Sequence, residues 1–555
     1  MPQPLDTREL RKGRGAYFTP PALAEFVANW AVRDSADLIL EPSCGDAVFL
    51  SAAGYRLQSL GAANLPGQLQ GHDIHRHSLD TAADTLAEQG MSANLVEGDF
   101  FDTAPDARFT AVIGNPPFIR FQGFTGQSRT KSLARALAAG VNLSGLASSW
   151  AAFTVHATNF LVSGGRLGLV LPAELLSVRY ASPVREFLQN SFASIDLILF
   201  DELVFPGVQA DVVVLMADGF KCGRTNHFTV HQSKNVSTLH LKVGRRWTPP
   251  SGNVRWTDAL LDFDVEPLLA QIRESNVFTR LSDWGTVSSG TVTGANRYFA
   301  LSQSEVASLG IANSDLQRLL PAGFPMGSMG NVTAKDIESA DNSARSFLFY
   351  PQAPLDQAAR SYIDHGVSLG IPERYKCRVR TPWWRVPLTS TPDLFVSYMS
   401  GATPRIVSNS ARARHLNSIH GLRTPPETRS LAMKALPLLA LNSYSLLSAE
   451  LEGRSYGGGV LKLEPREASR WLVPGTDAAS ASIELYSSVF AMGIKLMKNG
   501  DLPGATEIAD QIVEELLHET SAGRIDFDVI KAARSELLRR RLTRGNTPKS
   551  VAPTW

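Results

Sequence analysis

Four stretches of this chain carry residues suited to binding and chemistry, and they follow one another in order. The first, ILEPSCGD (39–46), is a short apolar run ending in Glu41, Pro42, Ser43, Cys44, Gly45 and Asp46. The second, GHDIH, ends at Asp73 and Ile74, and the third, EGDFFD, at Asp99 and Phe100. The fourth, AVIGNPPFIRF (111–121), drives an apolar strand into Asn115, Pro116, Pro117 and Phe118. Any one acidic residue at a strand end most often caps the next helix; the order of the set is what points to a site. An acid ending the second strand can accept both hydroxyls of a ribose. Asp99 can take an amino group of an adenine ring, and Phe100 beside it can cover that ring's face. The turn at Gly45 lets backbone approach a small zwitterion, but the full G-x-G-x-x-G set is missing, which argues against a pyrophosphate cofactor and so against NAD. Asn115 offers an amide acceptor and Phe118 a flat ring for a planar substrate, on prolines that fix φ and bring no competing N–H.

Such residues need elements to hold them. ALAEFVANWAV and HSLDTAADTLAEQG have apolar residues at helical spacing. With the short strands between them they predict an α/β unit with a mostly parallel sheet, whose ligands lie beyond the carboxyl ends of the strands where strand order reverses. SSWAAFTVHATNFLVSGG reads as a helix closed by a Gly pair, and RLGLVLPAELL as a strand with its exit. SIDLILFDELVFPGVQADVVVLMADG has two apolar runs with no room for a helix between them, so an antiparallel hairpin is expected at the sheet edge. Beyond about residue 220 the alternation stops and Gly, Ser, Thr and Pro become common. The expected division is a catalytic domain over 1–245, a mixed α+β domain over 246–500, and C-terminal helices with a polar tail over 501–555.

Composition narrows the class. The chain has 555 residues, 44% of them hydrophobic, and its 54 Lys and Arg nearly balance 53 Asp and Glu, so any nucleic-acid face must be local. Three scattered cysteines form neither a metal pattern nor a disulfide framework, which fits a reducing compartment. No signal peptide and no apolar run of about 18 residues is present, so a cytoplasmic protein without a membrane span or metal is expected.

Taken in order, these motifs resemble the S-adenosyl-L-methionine (AdoMet) dependent amino-group DNA methyltransferases of type II restriction-modification systems, in the subgroup whose cofactor motifs precede the catalytic one. GRGAYFTPPALAEFVANWA, upstream of ILEPSCGDAVFL, is similar to the family's N-terminal motif, and GGRLGLVLPAELL and VFPGVQADVVVLM resemble its later sheet motifs. The likeness covers about residues 13 to 218. It implies a Rossmann-like class I methyltransferase domain. It implies cofactor contacts from Thr19, Glu41, Pro42, Ser43, Cys44, Gly45, Asp73, Ile74, Asp99, Phe100 and Asn115. It implies a catalytic set of Asn115, Pro116, Pro117 and Phe118, with Phe205 as a second aromatic wall for the target base.

An exocyclic amine is a poor nucleophile because its lone pair is delocalised into the ring. The Asn115 oxygen and the Pro116 carbonyl can accept its two N–H groups, favouring a tetrahedral nitrogen. A base inside a duplex cannot reach such a pocket, so the resemblance implies base flipping. The second half would then read sequence: GTVSSGTVTGANRYFAL and RSYGGGVLKLEP resemble segments of this subgroup, and Arg378, Arg380, Arg385, Arg405, Arg412 and Arg414 lie among aromatics and amides in a pattern that suits phosphates and base edges. The expected partners are double-stranded DNA and a cognate restriction endonuclease encoded separately, since no nuclease motif is evident and the methyltransferase motifs begin almost at residue 1. Asn as first motif residue favours adenine N6. Cytosine N4, an RNA or protein substrate, and a silent DNA-binding subunit are the alternatives.

Overall fold

The computed structural model describes residues 19–63, 65–205, 211–240, 244–249, 255–261, 264–324, 326, 329–340, 344–456, 458–520 and 525–545. The GRGAYF segment, most of the VFPGVQ loop and the polar tail lie outside the described residues. The chain divides into two compact units, the second comprising Asp262–Leu542 and the first the residues on either side of it.

The first unit is built on a nine-stranded sheet in the order β3-β2-β1-β4-β5-β7-β6-β8-β9. The strands are β1 (Ile39–Glu41), β2 (Leu69–Asp73), β3 (Asn94–Glu97), β4 (Phe109–Gly114), β5 (Leu161–Pro172), β6 (Phe192–Phe200), β7 (Val212–Phe220), β8 (Phe228–Ser233) and β9 (Arg245–Trp247). β1 to β5 are mutually parallel, and β7 runs antiparallel between β5 and β6. Side-chain alternation divides the strands between two cores. Ile39, Ile113, Val170 and Val214 face one core, with helices α1 (Pro21–Ala31), α2 (Val48–Ser59) and α3 (Arg76–Glu88). Leu40, Val112, Leu171 and Val213 face the other, with α4 (Gly126–Ala138), α5 (Ser149–Thr158) and α6 (Ser182–Ser191). This is the expected doubly wound α/β architecture.

The β6–β7 hairpin forms as expected but is not the sheet edge. β8 pairs parallel with β6, and β9 antiparallel with β8. Aromatic packing extends the unit past residue 245: Phe228 lies 5.7 Å from Trp247 and 4.7 Å from Trp256, and the Trp256 N–H donates to the Leu176 carbonyl at 2.7 Å. The boundary is therefore later than the composition shift suggests.

The second unit is mixed α+β. A five-stranded sheet joins β10 (Thr286–Ser289), β11 (Asn331–Val332), β12 (Leu394–Ser397), β13 (Ile406–Asn409) and β14 (Ile419–Arg423) in the order β10-β14-β12-β13-β11. The helices after residue 501 are part of this unit rather than an appendage. Gly493 lets Ile508 and Leu438 approach so closely that a Cβ there would lie 2.8 Å from each. Arg541, 4% exposed in its side chain, forms two hydrogen bonds of 2.7 and 2.9 Å with Glu450 and donates to the Gly401 carbonyl. Among the described residues no helix is long and apolar enough to cross a membrane.

Candidate active site

Strand order reverses around β1, which lies between β2 and β4. At its end Glu41 is 2% exposed, and its Oε2 accepts the Leu50 N–H of α2 at 3.1 Å. Burial pushes the Glu41 pKa well above the usual carboxylate value; the Leu50 N–H opposes this, and the charges of Asp46 and Asp73 add to it. The following turn is left-handed at Gly45 (φ +51°) and again at Ala47 (φ +65°), a conformation non-glycine residues seldom adopt. It is pinned by the Cys44 N–H on the His72 carbonyl (2.8 Å) and the Ala47 N–H on the Cys44 carbonyl (2.7 Å). Asp73 braces it from β2, accepting the Gly45 N–H at 3.1 Å and the His75 N–H at 2.9 Å. Ile74, next in the chain, is 55% exposed.

At the third strand end, Asp99 accepts the Phe101 N–H at 3.1 Å and the Ser128 hydroxyl at 2.8 Å. Ser128 drew no notice in the sequence, where a serine in a polar helix start has no distinguishing neighbour. Phe100 corrects an expectation. It is 3% exposed and nearly parallel to Phe153 and Phe160, at 5.7 and 5.1 Å, so its faces belong to the core and it cannot cover a ligand ring.

At the fourth, Gly114 has φ +154°, and a Cβ there would lie 3.4 Å from Glu41 Cγ, so the strand end rests against the Glu41 side chain. Asn115 Nδ2 donates to the Thr19 hydroxyl at 3.2 Å, joining residues 96 positions apart. Phe118 is half-buried against both cores. The backbone on either side of it is held by Ser149, at the start of α5, a residue that no local spacing marks out. The Ser149 hydroxyl accepts the Ile119 N–H at 2.9 Å and donates to the Pro117 carbonyl, while its N–H donates to the Ile119 carbonyl at 3.0 Å. Phe205 is a second correction: it is 2% exposed within the core that includes α1 and α2, and presents no face for stacking.

The profile of the Eco57I restriction-modification methylases matches residues 62–205, and that of the C-terminal domain of type II methyltransferase M.Eco57I matches residues 253–514. Type II methyltransferase M.XamI of Xanthomonas campestris pv. amaranthicola is 25% identical over 516 residues, spanning 85% of this chain and 87% of its own. The chain belongs to the type II restriction-modification DNA methyltransferases. M.HincII of Haemophilus influenzae is 26% identical over 201 residues, 36% of either chain. Among solved structures the type IIL restriction-modification enzyme MmeI, in complex with DNA, shares the fold, with a TM-score of 0.55 at 12% identity over 94% of this chain and 75% of its own.

AdoMet is the methyl donor of this methyltransferase, and the residues present fit it. Glu41, Asp46 and Asp73 surround the turn, and none of them forms an ion pair with a described residue. A Cβ placed on Gly45 would meet nothing within 4 Å, so there is open space beside the turn. Carboxylates around an open turn suit a ligand that carries an ammonium and a sulfonium, and exposed Ile74 offers an apolar surface beside Asp73.

The second unit of the methyltransferase sorts the six arginines. Arg378, Arg385 and Arg412 are exposed, with Arg385 5.0 Å above the Tyr350 ring. Arg380 donates to the Thr293 and Val292 carbonyls at 2.8 and 2.6 Å, and Arg414 to the Thr389 carbonyl and Gln317 at 2.5 and 3.2 Å, so both guanidinium groups serve as loop ties. Arg405 is a third correction. It is 3% exposed and donates to the Met329 carbonyl at 3.0 Å, so its place in the core keeps it from a DNA backbone.

Proposed function

We propose that this methyltransferase modifies the exocyclic N6 amine of an adenine flipped out of a specific sequence in duplex DNA. The observation that carries this reading is the Asn115–Thr19 hydrogen bond at the end of β4. An amide that donates through its nitrogen to a buried hydroxyl presents its oxygen on the other arm. That oxygen and the Pro116 carbonyl accept the two N–H groups of the target amine, localising its lone pair. No strong base is required, because the nitrogen becomes acidic once methylated. Phe118 supplies the π-face for the flipped base, and such stacking offsets part of the unstacking cost by roughly 1–3 kcal/mol. With Phe205 in the core, Phe118 works without it.

AdoMet, when bound, supplies an electrophilic methyl group on a sulfonium. Glu41, Thr19 and the Pro42–Gly45 turn hold its amino-acid end, Asp73 its ribose, and Ile74 and Asp99 its adenine. The second unit reads the DNA sequence, with Arg378, Arg385 and Arg412 on phosphates. A separately encoded endonuclease cutting the same sequence, and a cytoplasmic setting, complete the proposal.

Asn115→Ala tests it. Transfer of radiolabelled methyl groups to duplex DNA should be lost while AdoMet affinity by calorimetry is kept; retained transfer would remove Asn115 from the chemistry.

A further inference from the structure

We propose that Ser149 is a positioning residue for methyl transfer, fixing the backbone of Phe118 so that its ring meets the target base. The proposal rests on the role assigned above to the loop after β4.

A peptide plane lies on each side of Phe118. The plane before it contains the Pro117 carbonyl, and the plane after it contains the Ile119 N–H. The Ser149 hydroxyl bonds both, donating to the first and accepting from the second. One side chain thereby sets both backbone dihedrals of Phe118, because φ and ψ are the only soft torsions between two planar peptides. The prolines cannot do this alone. They fix their own φ, but Phe118 lies outside the ring constraint. The Ser149 N–H, bonded to the Ile119 carbonyl at 3.0 Å, adds a third hold on the same loop.

The clamp is itself anchored. Ser149 is 1% exposed and opens α5. Its neighbour Trp150, fully buried, donates from Nε1 to the Tyr180 hydroxyl at 3.1 Å. That hydroxyl donates to Glu174 at 2.5 Å and lies 3.0 Å from the Ser148 hydroxyl. The start of α5 is thus tied to the segment that leaves β5. Ser148 occupies the cap position of α5 without a side-chain cap bond, so neither serine is used as an ordinary helix cap. Ser149 is spent on the loop instead.

The test uses full-length protein and duplex DNA with 2-aminopurine at the target position, whose fluorescence reports whether the flipped base is stacked. Ser149→Ala should slow single-turnover transfer roughly a hundredfold, the scale expected of a small misplacement at a reacting centre. AdoMet affinity should be unchanged, and 2-aminopurine emission should rise as the base loses its stack. Ser149→Thr, which keeps the hydroxyl, should restore most of the rate. Wild-type transfer and emission in Ser149→Ala would overturn the proposal. If Ser149→Ala fails to bind AdoMet, Ser149→Cys decides: slowed transfer with AdoMet binding intact supports the clamp, and wild-type transfer overturns it. Asn115→Ala in the same assay separates the two readings. An active Asn115→Ala defeats the parent assignment, whereas an inactive Asn115→Ala beside a fully active Ser149→Ala defeats only the clamp.

Discussion

Under the proposed assignment of Glu41 to the AdoMet amino-acid end, its carboxyl couples cofactor binding to pH. In the ligand-free protein burial holds its pKa well above that of an exposed carboxylate. Its contribution to stability is therefore fully present below the unfolded-state value and is lost as pH rises through the raised value. A ligand carrying an ammonium and a sulfonium favours the ionised form and lowers that pKa. AdoMet binding should then release a proton, and affinity should increase with pH across the window between the two values. Calorimetry in buffers of different ionisation enthalpy measures this directly. Proton uptake, or no exchange together with pH-independent affinity, would remove Glu41 from the cofactor's charged end. The position of Glu41 at the end of β1 was legible from its place after an apolar run. The fates of Phe100 and Phe205 were not, because an aromatic beside a motif reads the same whether it faces a ligand or the core. Ser149 was hidden for a related reason: its partners lie on a loop 30 residues away, which local spacing does not reveal.

Elements decide which charged residues can reach a partner. Arg405 directly precedes β13, a strand buried along its whole length, and its N–H bonds the Ser397 hydroxyl at 2.9 Å. Arg412 lies in the turn that follows β13, exposed and left-handed at φ +51°. In sequence the two share one basic segment; strand pairing separates them. Arg405→Ala should destabilise the protein by about 1–3 kcal/mol, as expected when buried hydrogen-bond partners are stranded, with DNA affinity following stability. Arg412→Ala should leave the unfolding midpoint unchanged, weaken DNA binding across sequences and lower the salt slope by about one. Paired thermal melts and salt titrations check both, and a reversed pattern would refute the sorting. β8 and β9 lie in a stretch that offers only short possible strands among loops, with no sign of which partner they pair with. Pairing with β6 and with each other makes them strands of the sheet, and the packing of Phe228 with Trp247 and Trp256 covers them.

Across the whole molecule, the first unit was readable because its four strand ends recur in order and its helices alternate with strands. The second unit was readable in class only. Its sheet pairs segments as distant as Thr286–Ser289 and Ile419–Arg423, and no local period announces such pairings. The final helices, set apart in the expected division at residue 501, are bound into the second unit by Gly493 and Arg541. A unit that matches the Eco57I methylases and carries an Asn-Pro-Pro-Phe loop, followed by one matching the C-terminal domain of M.Eco57I, makes the proposed chemistry on adenine the central claim. Nucleoside mass spectrometry of DNA from a methylation-free host expressing this chain tests it most directly. We predict N6-methyladenine, confined to one sequence context and absent with Asn115→Ala; N4-methylcytosine, or unmodified DNA from cells holding folded, AdoMet-binding protein, would contradict it.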